Sequence, residues 1–124
     1  MKHLASLVLP MPPTVNQYWR SASNGFAKGV KVYLSKQAQA YKHEVYQIVK
    51  KAGLDIRTDK RLKMYVMLNF KDKRKNDLDN RMKGLLDALT HAGVYQDDSQ
   101  IDKLIVERGI EKTNAVTVNI WELP

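Results

Sequence analysis

Two hydrophobic periods alternate along the chain. Leu62, Met64, Val66, Leu68 and Phe70 occupy every second position, which places them on one face of a strand. Val116, Val118 and Ile120 repeat that pattern, with Thr117, Asn119 and Trp121 on the other side. Ala38, Tyr41, Val45, Ile48, Val49 and Ala52 instead recur at spacings of three and four. They predict a helix from Lys36 to Ala52, with Ser35 as N-cap and Gly53 just past its end. Leu78, Met82, Leu85, Leu86 and Leu89 mark a second helix, Asp77 to Ala92, ended by Gly93. Leu4 to Leu9 is apolar enough for a first strand, and Ile101 to Glu107 reads as another with less regular alternation. The segment Pro10-Met11-Pro12-Pro13 must leave the sheet, because proline lacks the N–H that ladder pairing needs. Asn16 to Gly29 reads as a long polar loop holding Tyr18, Trp19 and Arg20. The predicted order is β-α-β-α-β-β, an α+β fold with two helices packed on a small mixed sheet. No linker, repeat or low-complexity stretch divides it, so residues 1–124 are expected to form a single domain.

Composition adds limits. With 44% hydrophobic and 27% charged residues, the chain has the make-up of a folded globule, and its length allows about two-thirds of the unfolded surface to be buried. There is no cysteine, which excludes disulfides and thiolate metal sites. The first apolar run is too short and too soon interrupted by proline for a signal peptide or membrane span, so a soluble, cytoplasmic protein is expected. Lys and Arg number 21 against 13 Asp and Glu, a net charge of +8. That surplus suits a polyanionic partner such as DNA, and it suits simple solubility equally well.

Against this positive background the acids are concentrated. Asp72, Asp77, Asp79, Asp87, Asp97, Asp98 and Asp102 all lie between Lys71 and Lys103. Asp77-Leu78-Asp79-Asn80 opens the second helix directly after the basic run Lys71 to Lys75, and Asp97-Asp98 sits in the loop after that helix. Aspartates at a helix start cap free N–H groups, but Asn76 can already do so and leaves the carboxylates in excess. Residues two apart do not share a helix face, so Asp77 and Asp79 converge only if Asp77 precedes the cap with its backbone extended. If Asp98 folds back toward Asp79, two carboxylates about 4 Å apart repel by about 4 kcal/mol at an effective dielectric of 20. Such a group either protonates in part or recruits a cation. Oxygen donors without cysteine favour Mg²⁺ or Mn²⁺ over zinc, and a hard cation of this kind suits phosphodiester hydrolysis. Lys71, Lys73, Arg74, Lys75 and Arg81 would then contact backbone phosphates. Taken alone, the basic run is a solvated loop.

Lys83 lies four residues after Asp79 and four before Asp87. It is either half of a helical ion pair or an ammonium aimed at the scissile phosphate. Asp87 is then a supporting residue or simply the partner of Lys83. His3, His43 and His91 have no ligand spacing and read as structural or surface residues. Tyr18 and Trp19 could stack on unpaired bases, but a loop tryptophan of this kind more often covers one edge of a core, which is the preferred reading.

The segment Asp77-Leu78-Asp79-Asn80-Arg81-Met82-Lys83, with Asp87-Ala88-Leu89, Ala92-Gly93 and Asp97-Asp98, resembles the RusA family of Holliday-junction resolvases. Leu9-Pro10-Met11-Pro12-Pro13-Thr14-Val15-Asn16 resembles that family's proline-rich opening. The resemblance implies a homodimeric, Mg²⁺-dependent endonuclease acting on four-way DNA junctions in recombination and repair, often encoded by phages or prophages. It implies that Asp77, Asp79 and Asp98 are catalytic metal ligands, that Asp97 supports them and that Lys83 is an important cation. Neither a membrane nor an organic cofactor is expected. Asn76 stands where related sequences often carry a basic residue, and the stretch 21–32 has no clear counterpart. A four-way junction has approximate two-fold symmetry, so a C₂ dimer would supply two equivalent sites.

Three other readings fit parts of the pattern. A basic binding module would use the aspartates only as caps, although acids beside its basic loop would weaken phosphate binding. A small phosphohydrolase would need a nucleotide pocket, and no Gly-rich phosphate loop is present. A nuclease preferring flaps or single strands has the same composition.

Overall fold

The strict alternation of Leu62, Met64, Val66 and Leu68 is realised in β4 (Leu62–Asn69), where all four side chains are buried. In the computed structural model, residues 1–23, 30–72 and 76–124 are described, without the side chains of residues 20–23 and 30–33. β6 (Ala115–Glu122) pairs antiparallel with β4 and with β1 (Lys2–Pro10), while β5 (Ile101–Arg108) flanks β4 in parallel. The sheet order is β1-β6-β4-β5, a mixed sheet. Val116, Val118 and Ile120 of β6 are buried, and Thr117, Asn119 and Trp121 turn away, as their alternation predicts.

α2 (Lys36–Lys51) and α3 (Met82–Ala92) pack on each other, and their apolar residues share one core with the sheet. Ser35 caps α2, its hydroxyl accepting from the Ala38 N–H at 3.0 Å. Gly93 ends α3 with φ +84, a left-handed turn that a residue with a Cβ adopts only at a cost. Gly84 serves a different need. A Cβ there would stand 3.2 Å from the Pro13 ring, so the absent side chain lets the proline segment lie against α3.

Two departures from the sequence reading matter. The stretch read as a loop contains α1 (Val15–Tyr18) and β2 (Trp19–Ser23), and β2 forms an antiparallel hairpin with β3 (Val30–Leu34). Thr14 and Gln17 form a reciprocal capping box that fixes α1. The second departure concerns α3, which begins at Met82 rather than Asp77, after a 3-10 turn at Asp79–Arg81. Asn76 does not cap it; its side-chain oxygen accepts from Arg81 instead.

The parallel pairing of β4 and β5 determines where the acids lie. Leu62 at the start of β4 pairs with Ile101, and Leu68 near its end with Arg108. α3 therefore carries the chain from the Asn69 end of β4 back to the Leu62 end. Its 11 residues span about 16 Å at 1.5 Å per residue.

Candidate active site

At the Asn69 end, the chain leaves β4 through Phe70, whose ring is approached by two guanidinium groups. Arg81 stands 5.7 Å and Arg108 5.1 Å from its centroid. Arg108 donates to the Asn76 carbonyl at 2.6 Å. Arg81 donates to the Pro12 carbonyl at 2.6 Å and to the Asn76 side chain at 3.3 Å. Partial burial holds the Arg81 pKa below its ordinary value. On the other side of Asp79, the Asn80 side chain accepts from the Val15 N–H at 3.2 Å. The residues flanking Asp77-Leu78-Asp79 are thus tied to the proline segment and to β5, while Asp77 and Asp79 themselves are exposed. Arg81, expected to contact DNA, directs these hydrogen bonds to the protein's own backbone and to Asn76. Lys71 is exposed beside this turn, and Lys73, Arg74 and Lys75 lie outside the described residues.

Lys83 projects from the first turn of α3. Its ammonium is 3.1 Å from the Asp87 carboxylate, and the Tyr18 hydroxyl donates to the same carboxylate oxygen at 2.5 Å. Of the two partners open to Lys83, the ion pair is with Asp87. Tyr18 is buried, and burial followed by the Asp87 contact raises its pKa. Trp19, the residue expected to cover an edge of the core, instead remains 41% exposed.

At the Leu62 end, Asp97 opens a 3-10 turn, Asp98–Gln100, by accepting from the Ser99 N–H at 3.1 Å. Hydrogen bonds from Ser99 hold the Asp97 carboxyl below the usual aspartate range. The buried Gln100 amide satisfies two donors and two acceptors at once. Its oxygen accepts from Gln96 N–H at 2.9 Å and Asp97 N–H at 2.8 Å, and its nitrogen donates to the Thr58 and Lys60 carbonyls, each at 2.9 Å. Arg61 donates to the Ser99 carbonyl at 2.9 Å and pairs with Asp102, whose carboxyl it holds below its ordinary range. Asp98 is exposed on this clamped turn.

Within one chain the Asp79 turn therefore lies toward the Asn69 end of β4 and the Asp98 turn toward its Leu62 end. In keeping with that, no group of three or more acidic, histidine or cysteine side chains is placed to hold a metal ion among the described residues. The chemistry of the donors still suits a hard cation, since Asp77, Asp79 and Asp98 are exposed carboxylates and Mg²⁺ binds through few protein oxygens. Gln100 and Arg61 were absent from the sequence-predicted site, and Tyr18 was weighed there only for base stacking. The pattern Asp97-Asp98-Ser99-Gln100, an acid followed three residues later by glutamine, is a capping-box signature from which Gln100 could have been found.

Residues 10–121 match the family model described as Endodeoxyribonuclease RusA. The chain belongs to this family. A crossover junction endodeoxyribonuclease RusA of Enterobacteria phage HK97 is 44% identical over 104 residues, covering 84% of this chain and 82% of the phage protein. RusA proteins bearing the same description in Shigella sonnei and Escherichia coli K12 are each 34% identical over 119 residues, covering 95% of this chain and 94% of theirs. As a RusA-family member the chain is an endodeoxyribonuclease, an enzyme that hydrolyses DNA, and its mixed α+β architecture agrees with that membership. Among the described residues, no helix is long and apolar enough to cross a membrane.

Proposed function

We propose that this RusA-family enzyme is a homodimer that resolves four-way DNA junctions with Mg²⁺, or with Mn²⁺ in its place, in recombination and repair in the cytoplasm. The observation that carries the reading is the match to crossover junction endodeoxyribonucleases over most of the chain, which includes the segments that display Asp77, Asp79 and Asp98. Asp77 and Asp79 of one copy would hold the cation together with Asp98 of a second copy, because within one chain the turns that carry them lie toward opposite ends of β4. A two-fold axis makes two such shared sites equivalent, matching the symmetry of the junction. A cation bound there would lower the pKa of a coordinated water and offset charge on the scissile phosphate. Asp97 acts through the turn that it caps. The Lys83 ammonium stabilises charge on the phosphate, and Lys71 to Lys75 hold the DNA backbone.

The test incubates the purified protein with an end-labelled four-way junction or a linear duplex, in Mg²⁺ or chelator. Paired nicks in opposing strands, on the junction and only with metal, are expected. Asp79→Asn should retain junction binding and lose cutting. Equal cutting of duplex and junction, or undiminished cutting by Asp79→Asn, contradicts the proposal.

A further inference from the structure

We infer that Asp87 is a positioning residue that holds the Lys83 ammonium in place; the catalytic weight of this inference rests on the role proposed above for Lys83. The sequence offers Lys83 two acids at four-residue spacing, Asp79 behind it and Asp87 ahead. Asp79 lies in the 3-10 turn before α3, so only Asp87 shares the α-helix with Lys83. The two pair at 3.1 Å, one turn apart.

Three contacts from outside α3 reinforce this pair. The Tyr18 hydroxyl donates to the carboxylate oxygen that Lys83 also reaches. The Lys83 ammonium lies 5.9 Å from the centroids of both the Tyr18 and the Trp19 rings, within the range where an aromatic face attracts a cation. The two rings stand edge to face, 4.9 Å apart, so each limits the other's movement. The cation is thus confined by a carboxylate and two rings, and the Asp87 side chain is only 23% exposed. An ordinary surface ion pair has none of this support. Without the Asp87 charge, the Lys83 ammonium loses the partner that fixes its position. A charge already fixed where the phosphate will arrive also avoids reorganisation during the reaction.

The experiment is a double-mutant cycle of Asp87→Asn and Lys83→Ala, read by single-turnover cleavage of a four-way junction in Mg²⁺ and by junction binding in chelator. Asp87→Asn alone should slow cleavage by about tenfold to a hundredfold, the usual loss when a supporting partner is removed, with the binding constant changed by less than about twofold. In the Lys83→Ala background it should cost less than about twofold more, because the residue it positions is gone. The same loss in both backgrounds, or no loss in the wild-type background, overturns the inference, since a purely structural role of Asp87 does not depend on Lys83. Should Asp87→Asn fail to fold by circular dichroism, Tyr18→Phe takes its place in the cycle: coupling to Lys83 supports the inference and additivity overturns it. A wild-type protein that never cuts refutes the proposed function instead. Metal-free Trp19 emission, measured in Trp121→Phe protein, then decides the positioning alone. An Asp87→Asn change that vanishes with Lys83→Ala supports it, and an equal change in both backgrounds overturns it.

Discussion

Gln100→Leu removes the amide that clamps the Asp98 turn. It leaves two backbone N–H groups, of Gln96 and Asp97, and two carbonyls, of Thr58 and Lys60, without the partners they have at 2.8–2.9 Å. At about 1 kcal/mol per hydrogen bond, the four sum to about 4 kcal/mol. Gln96, Asp97, Thr58 and Lys60 lie at or near the surface, so water replaces part of what is lost. The leucine also recovers some apolar burial. The expected net cost is about 2–3 kcal/mol. In urea, with a slope of about 1.5–2 kcal/mol per molar for a protein of this size, the midpoint should fall by about 1–2 M at an unchanged slope. Cleavage measured where the variant is still folded should fall as well, because Asp98 then sits on a loosened turn. A midpoint within about 0.3 M of wild type would refute the reasoning, since the amide would then hold nothing that water does not hold equally well.

Two further expectations test the packing and the charge network. Gly84→Val forces side-chain atoms toward the Pro13 ring, where even a Cβ would stand 3.2 Å away; thermal melting should show a loss of about 1–3 kcal/mol, and a wild-type melting temperature would mean that the proline segment moves aside freely. The Asp102 carboxyl is held below the ordinary 3.8 by its hydrogen bonds from Arg61, so its contribution is complete above that value and is lost as pH falls through the lower folded value. In that window the unfolded chain binds more protons and stability rises with pH; Asp102→Asn should flatten this acid limb in urea titrations, and an unaltered slope below pH 3.8 would show the pairing to be without consequence.

Sheet and helices were legible where one period repeats over a whole element. β4, α2 and β6 each bury the residues that their spacing selects, because one face of each meets the core. The hairpin was not, although Val30-Lys31-Val32-Tyr33-Leu34 alternates, because the polar residues around it resemble a loop and its pairing is a contact between separate segments. The start of α3 was misread for a related reason. Asp77, Leu78 and Asp79 continue the helical spacing, but Asn76 and Asn80 are held by Arg81 and by Val15, which proximity in the sequence does not reveal. The acids themselves stood out by composition. Their separation did not, because it follows from the parallel pairing of β4 with β5 and hence from topology. Lys83 stands between two acids in the sequence, but its pairing with Asp87 follows from the start of α3 at Met82, and the Tyr18 and Trp19 contacts that reinforce it come from a distant segment.

The most direct test of a cleavage site shared between two copies is subunit mixing. Asp79→Asn and Asp98→Asn proteins, each inactive alone, are unfolded together, refolded and assayed on a labelled four-way junction in Mg²⁺. A mixed dimer then has one site lacking both aspartates and one site with both intact. Restored cutting, as single nicks at up to about half the wild-type yield expected for random pairing, is the outcome a shared site requires. No cutting from a mixture shown to contain mixed dimers would contradict it, and would place Asp79 and Asp98 in the same chain's site.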